Sequence, residues 1–257
     1  MSIAPCHLAK RAKNLVRKFA NLSMVLISLL LALPAFANEA NSASPSHKQT
    51  LKAFTAKYSA ILNGSSVNGT AVRQLQFRPN GQATFSFMAR VNIAKLTEES
   101  LLDWDQCTPV PQTYQRSLRV FFRNKKQSIH FDQNKLQANY TDDKKSGQAD
   151  IPAKTQDRIS LQLALRCDLL NGKQQGSYTV FDSNKLKTYQ FKVTGEEIID
   201  TPIGKLTATK VQLQRENSDR QTWLWFSKQH DYLLIKLKQS ESSSESLEIT
   251  ISEFKGT

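Results

Sequence analysis

The feature that most constrains this chain is a train of short segments in which apolar and polar residues alternate with period two, each closed by turn-forming residues. The clearest covers residues 82–91, where Ala83, Phe85, Phe87, Ala89 and Val91 fall on one side and Thr84, Ser86, Met88 and Arg90 on the other. A strand sends successive side chains to opposite faces, so this spacing makes one buried and one wetter surface. Asn80-Gly81, just before it, takes the positive φ that a tight hairpin turn demands. Segments of the same kind recur from residue 54 to residue 254, punctuated by Asn63-Gly64, by Ser183-Asn184 and by Pro202 and Gly204. About eleven or twelve short strands joined by tight turns predict a mainly antiparallel β fold, which at this size must curl, close or split. The expected architecture is a strongly curved antiparallel sheet or open barrel with one principal helix, the alternative being a two-sheet β-sandwich. No fixed-period repeat or second-domain linker occurs, so residues 51–257 read as one β-rich domain.

The principal helix is placed at 157–170. Asp157 is suited to cap it, Ile159, Leu163, Leu165, Leu169 and Leu170 with Cys167 give a broad apolar surface, and Asn171-Gly172 ends it. It is expected to cover the sheet. Residues 96–104 carry acids early and Leu101, Leu102 and Trp104 late, which reads as a second, short helix. Residues 107–111 read as a rigid loop, 142–150 as a polar loop, and 195–199 as a strand separate from 186–193.

The front of the chain carries a different signal. Lys10, Arg11, Lys13, Arg17 and Lys18 precede an apolar run over residues 22–33, too short for the ~20 residues of a membrane-spanning helix and of the length of a signal-peptide core. Ala35, Phe36 and Ala37 then present small residues around a large one, placing signal cleavage between Ala37 and Asn38. Residues 1–37 are therefore expected to be a signal peptide, residues 38–50 a flexible leader, and the periplasm the destination. Removing the signal leaves 30 of the 35 basic residues against 22 acidic ones, a net charge near +8. Basic charge is a common mark of nucleic-acid binding, but export separates the chain from nucleic acid. Arg123, Lys125, Lys126, Lys144 and Lys145 read as a solvated surface or as attraction toward anionic envelope polymers or lipid head groups.

Only Cys107 and Cys167 remain after cleavage, an even pair in an oxidising compartment, and one disulfide is expected between them. It would close a loop of about 60 residues and stabilise the fold by roughly 4 kcal/mol on a chain-entropy estimate.

No GxSxG, HExxH, paired CxxC, GxxxxGK[ST] or GxGxxG occurs, which removes the usual signatures of serine hydrolases, zinc sites, P-loops and dinucleotide folds. No catalytic residue, metal ligand or cofactor is assigned. Asp157 beside Arg158 reads as a helix cap with a surface arginine rather than an active-site pair. His130 and His230 read as isolated polar residues. Trp223 and Trp225 lie two apart on one strand and so share a face, where they fill the core or line an apolar cavity. With Phe85 and Phe87 they are the candidate ligand-lining residues.

The stretches DRISLQLAL at 157–165, FDSNKLKTYQFKVTGEE at 181–197, TPIGKLTATKV at 201–211 and WLWFSKQHDYLLIKL at 223–237 together resemble the domain of unknown function 3108 family of exported bacterial proteins. One departure is visible: where the family pattern has a proline before the apolar return strand, this chain reads Tyr232, Leu233, Leu234, Ile235. The resemblance implies an envelope location and a β-rich fold and assigns no catalytic residue. The leading functional expectation is an envelope protein that is not an enzyme and that holds an apolar or amphipathic ligand, a lipid or another envelope component, in a curved sheet. Its competitors are an enzyme acting on envelope polysaccharide or peptidoglycan through converging carboxylates, and an assembly factor that binds through a sheet edge.

Overall fold

A computed structural model of the chain describes residues 50–91, 93–242 and 245–256. The expected signal peptide, its cleavage site at Ala37 and Asn38, and all but the last residue of the leader lie outside the described residues.

Eight strands come first: β1 (Phe54–Leu62), β2 (Ser65–Phe77), β3 (Gln82–Val91), β4 (Ala94–Asp105), β5 (Thr108–Val120), β6 (Arg123–Asp132), β7 (Gln137–Asp142) and β8 (Ser146–Asp150). Helix α1 (Ser160–Leu170) follows. Six strands complete the chain: β9 (Gln175–Asp182), β10 (Lys185–Thr201), β11 (Gly204–Arg215), β12 (Gln221–Ser227), β13 (Leu233–Ser242) and β14 (Glu245–Gly256). All fourteen join one antiparallel sheet in the order β8-β7-β6-β5-β4-β3-β2-β1-β14-β13-β12-β11-β10-β9. Each half is a meander of neighbouring hairpins, and the halves meet where β1 pairs with β14, Phe54 opposite Gly256. Among the described residues no helix is long and apolar enough to cross a membrane.

One sheet replaces the two of the sandwich alternative, and it is not closed, since β8 and β9 form its two edges. It curls far enough that Tyr140 on β7 and Phe181 on β9, near opposite ends of the strand order, stand 5.9 Å apart between ring centroids. The backbone of Gln156 adds a parallel bridge to β9 at Val180, so the chain entering α1 covers part of that edge and blunts it against further pairing.

The expected second helix is strand β4. Its inward positions Leu96, Glu98, Ser100 and Leu102 are all buried. Two polar residues in that row hide the alternation from a reading based on apolar spacing alone. Residues 107–111 turn directly into β5, with Gln106 and Cys107 at φ 41° and 61°. The expected polar loop contains β8. Residues 186–199 belong to one strand, bent by a bulge between Val193 and Gly195, where Gly195 takes φ 147°. In place of a proline turn before β13, a 3-10 turn Lys228–His230 runs into Asp231 and Tyr232 at φ 50° and 53°.

Helix α1 is shorter than expected and more enclosed. Asp157 accepts from the backbone N–H groups of Ile159 and Ser160 at 2.8 Å each, so the capping role stands one turn ahead of the regular helix. At the other end Gly172, at φ 83°, donates from its N–H to the Leu169 carbonyl. Eight of the eleven helix residues are buried, on every side of the helix, which is the mark of an interior helix rather than one laid on a sheet surface. It lies inside the curl, its Cys167 Sγ bonded to that of Cys107 in the β4–β5 turn, with the Cα atoms 5.5 Å apart.

The odd-numbered strands all run toward one end of the curl, here called the rim, and the concave face differs along that direction. Away from the rim, Phe54, Leu75, Phe85, Leu102, Tyr114 and Phe131 pack with the disulfide into a filled core. Toward the rim the same face is left hollow.

Candidate functional site

The hollow is a cavity of about 370 Å³. Strand register builds it. On β3 the inward row that starts in the core with Ala83 and Phe85 continues as Phe87, Ala89 and Val91, which line the cavity. The row on β2 opposite them is Arg73, Ala71 and Gly69, pairing with Phe87, Ala89 and Val91 respectively. The other arm contributes Leu224 on β12, Leu237 on β13 and Ile249 on β14, again neighbours in register, and Leu213 on β11, which pairs with the lining residue Thr222. The first turns of α1, with Leu161, Gln162 and Leu165, roof it. Its volume lies within the ~300–1,000 Å³ usual for small-molecule sites, and mainly apolar walls with a few convergent polar groups are their usual composition.

The polar groups are concentrated and unbalanced. Five cationic side chains line the cavity, Arg73, Arg158, Lys187, Arg215 and Arg220, against two carboxylates, Glu98 and Asp182. Arg158 holds both acids: its Nε donates to Glu98 Oε1 at 3.1 Å and its Nη1 to Asp182 Oδ2 at 3.3 Å. Lys187 also pairs with Asp182, and Arg220 pairs with Glu241 outside the cavity. Burial alone would raise the Asp182 carboxyl, but Arg158 and then Lys187 overcome it and hold the group down at about 2. Tyr114 donates to Glu98 from the core side at 2.5 Å, and burial followed by that carboxylate pushes its phenol well above the ordinary range.

The surplus charge rests on two arginines. Arg73 donates from Nη1 to Gln162 Oε1 at 2.6 Å and lies 5.4 Å and 5.2 Å from the ring centres of Tyr58 and Phe87. Arg215 is 9% exposed, and its Nη1 has no hydrogen-bond partner. Neither forms an ion pair with a carboxylate among the described residues. A buried guanidinium N–H left unmatched inside a cavity marks a place where an acceptor is missing.

The expected lining residues separate. Phe87 lines the cavity. Phe85, on the same strand face, is buried in the core with its ring 6.3 Å from that of Phe54. Trp223 and Trp225 share a face, as expected, with Lys210 Nζ 4.9 Å and 5.4 Å from their rings. Trp225 donates from Nε1 to Glu197 Oε2 at 2.7 Å. Neither tryptophan is among the lining residues. Arg158, read from sequence as a surface residue, instead points into the cavity, because two buried carboxylates draw it inward. His130 is exposed, and His230 Nδ1 stands 3.0 Å from Ser227 Oγ. Among the described residues no three His, Cys, Asp or Glu side chains gather as a metal site.

The charged lining residues escape a reading by apolar spacing, although the sequence carries a signal for them. Arg73 shares the parity of Ala71 and Leu75, Arg215 that of Val211 and Leu213, and Glu98 that of Leu96 and Leu102. A charge at an inward position of an alternating strand needs a partner in the fold or a ligand to meet it.

Comparison with known proteins bears on the fold. A β-barrel-like protein of domain of unknown function DUF1849 from Brucella abortus superposes with TM-score 0.57 at 11% identity, over 81% of this chain and 99% of its own. A protein with a YmcC-like fold from Bacteroides fragilis gives TM-score 0.35 at 8% identity, over 80% of this chain and 97% of its own. MucB gives 0.30 at 10% identity, over 82% of this chain and 54% of its own. The first supports a barrel-like fold, and the other two are too distant to argue from. Among curated proteins no sequence matches. The family pattern noted in the sequence extends over residues 49–251, nearly all of the β-rich domain, and the chain belongs to the family of proteins of unknown function DUF3108.

Proposed function

We propose that this chain is an exported envelope protein that binds an amphipathic ligand with an anionic head in the cavity at the rim of its curled sheet. The observation that carries the reading is the pairing of an apolar hollow with two cavity-lining arginines, Arg73 and Arg215, that no carboxylate among the described residues neutralises. An apolar chain would lie along Phe87, Ala89, Leu224 and Leu237, and an oxyanion would supply the acceptor that Arg215 lacks. A charge-assisted bond of that kind contributes roughly 1.5–3 kcal/mol. The carboxylate-pair chemistry of a glycan-cleaving enzyme is less well supported. Arg158 and then Lys187 hold the Asp182 carboxyl down at about 2, the opposite of the raised value a general acid needs, and Arg158 binds Glu98 as well, so both carboxylates are tied up in ion pairs.

Displacement of the neutral reporter N-phenylnaphthylamine by chain-matched probes tests this. Dodecanoate and dodecyl phosphate should displace it about tenfold more effectively than dodecanol or dodecyltrimethylammonium, and R215Q should bring that ratio close to one. Filling the hollow with Ala89→Trp should abolish reporter binding while the thermal midpoint stays within a few degrees. Absence of reporter binding to the wild type would refute the cavity reading. Equal displacement by all four probes would refute the anionic head alone.

A further inference from the structure

At the rim beside the cavity, two hairpin turns stand in one row. Val91, a cavity residue, pairs with Ala94, Ala94 with Val120, and Val120 with Arg123. The β3–β4 and β5–β6 turns therefore project side by side, tied by a hydrogen bond from the Phe121 N–H to the Ile93 carbonyl at 3.1 Å. Their apolar side chains face solvent: Phe122 is 102% exposed, Phe121 50% and Ile93 37%. Phe121 takes φ 52°, an unusual conformation for an aromatic residue, and one that holds the turn tight with both rings outside the sheet.

The charged residues that flank these rings on the same two hairpin ends are all cations: Arg90, Lys95, Arg119, Arg123, Lys125 and Lys126. None of the six forms an ion pair among the described residues. Asp143, across the strand from Lys126, accepts from its backbone N–H and not from its ammonium. Cations ringing bare phenylalanines match a surface that is anionic at its face and apolar just beneath.

We infer that this double turn is a docking tip that seats in an anionic lipid surface, Phe121 and Phe122 entering the acyl boundary while the surrounding arginines and lysines meet the head groups. A soluble polyanion would use the cations but would gain nothing from the exposed rings. Basic residues are drawn to such a surface and phenylalanines leave water on entering the acyl boundary, and the two effects together support reversible adsorption. The tip shares Val91's row, so the cavity would open beside the lipid. The inference rests on the turns and not on what the cavity holds.

Flotation of the protein with vesicles tests it. The wild type should float with phosphatidylcholine–phosphatidylglycerol vesicles and stay behind with phosphatidylcholine alone. F121S/F122S and, separately, R123Q/K125Q/K126Q should each lower the floated fraction about tenfold or more. These positions are exposed, so both variants should keep the wild-type melting curve. A wild type that ignores the anionic vesicles overturns the inference. So does an F121S/F122S protein that floats like the wild type, which would show the cations acting on a charged surface without insertion.

Discussion

Ser100 on β4 donates from its hydroxyl to Asp157 Oδ2 at 2.5 Å, joining the middle of one meander to the start of the interior helix across 57 residues of sequence. The other oxygen of the same carboxylate caps the helix, so one buried group positions α1 both along and across the sheet.

Burial pushes the Asp157 carboxyl up to about 6, against the pull of Ser100 and the backbone N–H groups. A raised acid in the folded state binds its proton more tightly than in the unfolded chain. Its contribution to stability is therefore full below the unfolded value near 3.8 and is lost as pH rises through about 6. The difference between those two values corresponds to roughly 3 kcal/mol. In urea titrations at several pH values, D157N should flatten this part of the profile. D157A should also cost about 1–3 kcal/mol at pH 4, where it strips the helix start of its acceptor. An unchanged slope between pH 4 and 6 in D157N would remove Asp157 as the source.

Asp182 works in the opposite sense and in a lower window. Its folded value of about 2 lies below 3.8, so its contribution is present above 3.8 and lost as pH falls toward 2. R158M should lower stability by about 3–5 kcal/mol at pH 7, because it leaves Glu98 and Asp182 buried without their shared cation. It should also move the Asp182 titration upward, measurable by carboxyl-carbon NMR. A variant as stable as the wild type with Asp182 still near 2 would show that Lys187 suffices.

Replacing Cys107 or Cys167 with serine should cost roughly 2–5 kcal/mol. Reductant should lower the wild-type thermal midpoint by a similar amount and leave both variants unmoved. Two reactive thiols in unfolded, unreduced protein taken directly from cells would show that the bond does not form there.

Gly195 sits at φ 147° in the β10 bulge, with open space where a Cβ would go. G195A should therefore cost about 1–3 kcal/mol through backbone strain alone. Because nothing there clashes, the variant should melt earlier yet keep the wild-type far-UV spectrum. Loss of the β spectrum would mean that the bulge directs pairing as well as bending.

Local pattern makes much of the fold readable. Residues 82–91 alternate cleanly because their inward face is wholly apolar, and β3 has the expected faces. The helix is legible in Asp157 and in Asn171-Gly172, though not its position inside the curl, which depends on both arms closing around it. Strand β4 is not legible as a strand because Glu98 and Ser100 occupy inward positions, satisfied by Arg158 and Asp157 from a distant segment. The site is the least legible part. Phe87 lines the cavity while Phe85, two residues away on the same face, fills the core, a difference that local alternation does not carry. Trp223 and Trp225 are attractive for their size, but the adjacent Leu224 is the residue of that strand that lines the hollow.

The β1–β14 pairing sets the order of assembly. Within each meander, contacts join neighbours in sequence, whereas Phe54 meets Gly256 only after about two hundred residues have been ordered between them. Closing so long a loop is slow, so the two arms should form early and remain separate, each with an unpaired central edge, until the last strand docks. A chain lacking residues 245–256 would lose the strand that joins the two meanders, leaving two half-sheets that could pair with those of other molecules. The position that makes the domain one body is thus also the one where an incomplete chain is most prone to aggregate.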